Sequence, residues 1–138
     1  MKKEDVDKMT LQEACDYAVN KIVEQGKKCV LAKQCVYSDG EGNHCAVGWL
    51  LDKTNSKLME ATGGIRNLIE APDISEHIPN LIKDNLCVFI SLQSFHDSHK
   101  RWCRQESMLE LAEVHKIDVR SNPNYQKWLN MAASGEEL

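Results

Sequence analysis

Apolar residues recur at steps of three and four through Leu11, Ala14, Cys15, Ala18, Ile22 and Val23, the spacing of one face of an amphipathic helix. Thr10, with Glu13 three residues on, makes a capping box in which hydroxyl and carboxylate each accept an amide that the first turn leaves unpaired. Gly26 supplies the left-handed residue that ends such a helix. A helix from Thr10 to about Gln25 follows, with Cys15 inside its packed stripe. A second stripe, Val88, Leu92, Phe95, His99 and Trp102, lies beside Phe89, Gln93, His96, Lys100 and Cys103. It predicts a helix from Leu86 to about Arg101, opened by Asp84-Asn85, although the unbroken apolar run Leu86–Ile90 would also suit a buried strand.

Shorter elements are read from breakers and caps. Helical pieces are expected near 56–61 and 65–70, separated by Gly63-Gly64 and closed by Pro72, and Pro79 suits the first turn of another. Met108, Leu111, Ala112 and His115 share one side of a helix over about 105–116. Asn122 and Pro123 open a last helix presenting Tyr125, Trp128, Leu129 and Ala132. Between the first two stripes, two β-prone arms flank Ser38-Asp-Gly-Glu-Gly42 and predict a small hairpin over about 34–46. Centred on Gly40, it pairs Cys35 with Cys45, Val36 with His44 and Tyr37 with Asn43, bringing β-carbons of opposed residues to about 4.5–5.5 Å. Ala46–Leu51 is expected to enter the core as a short helix. The fold class is mainly α with a minor β part: one compact helical domain over 1–138, of five to seven helices and one hairpin, its ends fraying over about 1–8 and 134–138.

Charge narrows the partners. Lysine and arginine number 17 against 21 aspartates and glutamates, a net charge of −4, so binding to a phosphate backbone lacks its main driving force. Lys100, Arg101 and Arg104 form the most basic patch and read as a solvated helix face. Neither a secretory signal nor a membrane-spanning apolar run is read from the chain. A reducing cytosol is therefore expected for the six cysteines, which must be buried thiols, metal ligands or nucleophiles rather than a disulfide framework.

Three chemistries compete for the cysteine region. Cys35 and Cys45 on a hairpin, with His96, His99 and Cys103 at helical spacing, could supply the sulfur and nitrogen ligands that zinc takes. The nine residues between Cys35 and Cys45 exceed the spacing of common zinc knuckles, and His44 should point away from Cys45. Cys45 could instead be a nucleophile at the head of the following apolar run, with His96 as base and Gln93 holding the ring or a substrate carbonyl. Asp97 is badly placed to orient the adjacent His96, because neighbouring helix side chains diverge by about 100°. The favoured reading is scaffold: packed thiols beside a polar His96-Asp97 junction. Trp49, Trp102, Trp128, Tyr125 and Phe95 fit the core, and any left at the surface would be partner anchors.

Cys35-Val-Tyr37, the glycine turn, Cys45-Ala-Val-Gly48 and the later Leu92-Gln-Ser-Phe-His-Asp97 together resemble a family of small uncharacterised proteins of tailed phages and prophages. The resemblance covers both motifs in order, and little of 53–85 or of the final forty residues. It implies a phage-encoded accessory protein of the host cytoplasm and draws attention to Cys35, Tyr37, Cys45, Gly48, Gln93, His96 and Asp97. The leading expectation is a non-enzymatic protein that binds a host or anti-phage-defence protein, with Tyr37 and Asp97 as binding residues and no cofactor. The alternatives are the Cys45 enzyme and the zinc-stabilised module.

Overall fold

The structure, a computed structural model, describes residues 2–26, 30–31, 34–35, 37–38, 40–61, 64–97, 109–118 and 121–127, and only the backbone for 30–31, 34–35 and 94–97. It is mainly helical. Helix α2 (Leu11–Gln25) is the longest described, and its ends are those its sequence encodes: the reciprocal Thr10–Glu13 capping box is formed and Gly26 closes it at φ 78°. Its buried face is Ala14, Cys15, Ala18, Val19, Ile22 and Val23. Cys15 is fully enclosed, and burial, aided by the neighbouring Asp16 carboxylate, pushes its thiol up to about 12. At neutral pH it remains protonated and unreactive.

Helix α7 (Leu86–Asp97) resolves the ambiguity of Leu86–Ile90 in favour of helix. Val88, Phe89 and Leu92 enter the core from it. It packs against α4 (Ile65–Glu70) and α6 (Asn80–Asp84). Asn85 is the junction: its side-chain amide donates to the Leu81 carbonyl in the first turn of α6, while its own carbonyl accepts from Val88 and Phe89 as α7 begins. Helix α3 (Ser56–Met59) is capped by Asn55, whose side chain accepts from the Lys57 and Leu58 amides. Helix α4 ends at Glu70, just before Pro72 as the sequence suggested, and Pro72 also occupies the first position of α5 (Pro72–Ser75), where its missing N–H costs nothing. Pro79 stands one place before α6. Residues 109–113 and 123–127 are also helical, and Leu111, Ile117 and Tyr125 complete the described core. No helix among the described residues is long and apolar enough to cross a membrane.

The hairpin expected over 34–46 is not seen. Gln34–Cys35 (β2) instead pairs antiparallel with Val30–Leu31 (β1), placing Cys35 opposite Val30 rather than Cys45. The later arm retains a single bridge, Ser38 to His44. Its amides are taken by side chains of other elements: His44 N–H donates to Gln25 Oε1, and Val47 N–H to Gln93 Oε1.

The amino end, expected to fray, forms helix α1 (Lys3–Asp7), because Val6 is fully buried and three polar contacts fix the segment. Lys2 reaches the Asp52 carboxylate at 3.3 Å, Lys3 donates to the Glu76 carbonyl, and Asp7 accepts the Leu81 amide at 2.9 Å. Asp52 is held below the usual carboxylate range, first by the Thr54 hydroxyl and with help from Lys2. That contribution is present above the unfolded-state pKa and fades as pH falls through the folded one. Asp7 caps α6 from 74 residues away, since Pro79 at the cap position offers no side-chain acceptor. Asp7→Ala should therefore lower stability by about 1 kcal/mol in urea unfolding, whereas Asp7→Asn, which retains an acceptor, should recover most of the loss.

Candidate functional site

The segment from Tyr37 to Leu51 folds onto α2 and α7, and four of the residues singled out from the sequence meet there. Gly48 begins a 3-10 turn (Gly48–Leu50) that packs on α2. A β-carbon on Gly48 would collide with the Tyr37 carbonyl oxygen and stand 3.3 Å from Cys45 Sγ, so this close backbone approach admits only glycine. Gly48 N–H donates to Cys45 Sγ at 3.2 Å, closing a tight turn around the sulfur. Gln93, on α7, accepts the Val47 amide at 3.1 Å and pins the same turn to the helix. Tyr37, Cys45 and Val47 are 5%, 2% and 0% exposed, so the cluster is an interior junction.

His44, expected to point away from Cys45, is itself buried. Its Nδ1 lies 3.2 Å from the Tyr37 carbonyl and its ring meets the Trp49 indole edge-on, with centroids 4.7 Å apart. The Tyr37 carbonyl is thus held between the imidazole of His44 and the bare backbone of Gly48. The third organiser is Gln25, the last residue of α2, whose Oε1 accepts both the His44 amide at 2.8 Å and the Trp49 indole N–H at 3.0 Å. Gln25 went unremarked in the sequence because it carries no motif. Its one signal is its place immediately before the helix-ending Gly26.

Above this junction lies a shallow cleft of about 140 Å³, lined by Lys21, Glu24 and Gln25 of α2 and by Gly42, Asn43 and Trp49 of the returning loop. Lys21 Nζ sits 5.5 Å from the Trp49 ring centroid and 5.7 Å from that of Tyr17, within cation–π range. The Glu24 carboxylate is 3.6 Å from the same ammonium and largely exposed. Gly40 and Gly42 both adopt positive φ, 78° and 92°, which lets the loop turn back sharply without a side chain over the opening.

The other candidates fall differently. His96 and Asp97 lie on the helical backbone of α7, but their side chains, and residues His99 and Cys103, are outside the described residues. The Cys35 side chain is too. Among the zinc candidates Cys45 alone has a described side chain, and it is bound to Gly48 N–H. Trp102, Trp128 and the Phe95 side chain likewise lie outside the described residues, while Tyr125 is in the core and Trp49 stands at its margin. Comparisons with protein-family models, curated proteins and solved structures find no match to this chain.

The junction makes two sharp expectations. Gly48→Ala must push the Tyr37 backbone away and should destabilise by about 1–3 kcal/mol. Gln93→Leu leaves the Val47 amide without its acceptor and should cost a similar amount, about 1–3 kcal/mol. Both are read from chemical denaturation, and additivity in the double variant would show that the two contacts act independently.

Proposed function

We propose that the protein is a phage-encoded accessory protein of the host cytoplasm that works by binding a host or anti-phage-defence protein, and not by catalysis. The observation that carries this reading is the engagement of Tyr37, Cys45, Gly48 and Gln93 with one another inside the core. The motif residues that resemble the phage family thereby serve to hold a glycine turn and Trp49 in place at the surface. A nucleophilic thiolate needs an approach path and an electropositive setting; the burial of Cys45, 2% exposed with its sulfur accepting the Gly48 amide, supports a packing role instead. The excess of 21 acidic over 17 basic residues favours a basic partner and speeds its encounter.

Capture by the immobilised chain from lysates of several bacterial hosts should retain one host protein in stoichiometric amount, with affinity falling as salt is raised. Retention of nothing from any host would overturn the reading. Thiol labelling, with sites identified by mass spectrometry, separates it from a cysteine enzyme that uses Cys45 as nucleophile, His96 as base and Gln93 beside them. The exposed Cys87 should label at least about tenfold faster than Cys45, and Cys15 should not label in the folded protein. Fast labelling of Cys45, with an apparent pKa well under the ordinary thiol value, would establish the enzyme instead. Metal analysis of the purified chain tests the zinc-stabilised alternative directly.

A further inference from the structure

The cleft beside Trp49 has a size, a wall and a charge arrangement that together specify what it takes. At about 140 Å³ it is close to the cavity of about 150 Å³ that accepts one benzene ring. It therefore holds a single side-chain head group and not a nucleotide or a run of peptide. The wall is the Trp49 indole, whose orientation is fixed from behind: its N–H is committed to Gln25 and its ring is braced by the edge contact with His44. The remaining lining comes from Lys21, Glu24 and Gln25 of α2 and from Gly42 and Asn43. A group entering the cleft meets a surface that is already ordered, so binding incurs little rearrangement.

The occupant's charge is indicated by the chain itself. Lys21 lays its ammonium over the two aromatic rings, 5.5 Å from Trp49 and 5.7 Å from Tyr17, and only loosely pairs with Glu24 at 3.6 Å. The rings and carboxylate thus already attract a cation, and the one present is a poor fit to them. An ammonium is a compact, strongly hydrated charge that cannot stack. A guanidinium is planar, more weakly hydrated, stacks on an indole face and meets a carboxylate with two parallel hydrogen bonds. Glu24, with its side chain 73% exposed, can turn its carboxylate toward the cleft, and the chain's net charge of −4 favours a cationic visitor over an anionic one.

We propose that the cleft formed by Lys21, Glu24, Gln25, Asn43 and Trp49 is a recognition slot for one arginine side chain of a basic partner protein. Its guanidinium stacks on the Trp49 indole and pairs with Glu24, and Lys21 is the intramolecular cation it displaces. The slot deepens the partner-binding reading and rests on it only for the source of the arginine. A free arginine derivative tests the slot with no partner present, so failure of the capture experiment and failure of the slot are separate results.

The test is a titration of the ¹⁵N-labelled chain followed by NMR, reading the Trp49 indole N–H signal, which is assigned by its loss in Trp49→Phe. N-acetyl-arginine amide should shift that signal saturably in the millimolar range, and N-acetyl-lysine amide should do so more weakly. Glu24→Gln should weaken the arginine derivative about fivefold or more, since it removes the charged half of the bidentate pair. Lys21→Ala, which vacates the rings, should tighten it about threefold or more. Glu24 is exposed and Lys21 half-buried on α2, and unchanged spectra elsewhere confirm that the variants are folded. A shift produced by acetate and abolished by Lys21→Ala would make the cleft an anion site and overturn the proposal. No shift with any titrant, or a shift with the arginine derivative indifferent to Glu24→Gln, would overturn it equally.

Discussion

The contact on which the described structure turns is the approach of the Gly48 backbone to the Tyr37 carbonyl. Two strands of chain cannot come this close with a β-carbon between them, and the rest of the segment is arranged around that approach. The Cys45 sulfur accepts the Gly48 amide, Gln93 accepts the next amide back along the chain, and His44 covers the other side of the Tyr37 carbonyl. The polar groups of a tight turn, which would be costly if buried unpaired, thereby find partners within the core. The apolar residues between and after them, Ala46, Val47, Leu50 and Leu51, then fall into the interior.

Two glutamines set the geometry from outside the segment. Gln93 anchors it to α7 and Gln25 to the end of α2, and each does so with a side-chain carbonyl that takes a backbone amide. A glutamine in this role acts like a piece of sheet edge supplied by a helix. The loop takes its position from elements distant in sequence, which is why a surface indole can be held in one orientation by a helix terminus and a buried imidazole.

What could be read from the sequence follows this division between local and distant causes. Helix α2 was legible residue by residue because Thr10, Glu13, the stripe from Ala14 to Val23 and Gly26 all act within a few positions of themselves. Leu86–Ile90 was ambiguous because five consecutive apolar residues carry no period, and only packing against α4 and α6 decides for helix. Pro72 was legible as the end of α4, but not as the start of α5, since a proline does not announce that it adjoins two helices. The hairpin register was inferred from symmetry about Gly40, whereas Cys35 pairs with Val30 and the His44 amide is claimed by Gln25. Tyr37, Cys45, Gly48 and Gln93, four of the seven residues to which the resemblance draws attention, meet in one cluster. Lys21, Glu24 and Gln25 were not singled out, for on a helix surface they look like any other polar residues until the loop is placed beside them.

The trans cap on α6 bears on the order in which the chain assembles. Thr10 and Asn55 cap helices that begin one residue later, so they can assist as soon as their own turns emerge. Asp7 and Leu81 are separated by 74 residues, and closing a loop of that length carries an entropic cost that must be met before the hydrogen bond can repay it. The cap on α6 is therefore a non-local contact, unlike those on α2 and α3. The acidic side chain that completes it is synthesised long before Leu81, and the cap awaits the closing of the loop between them.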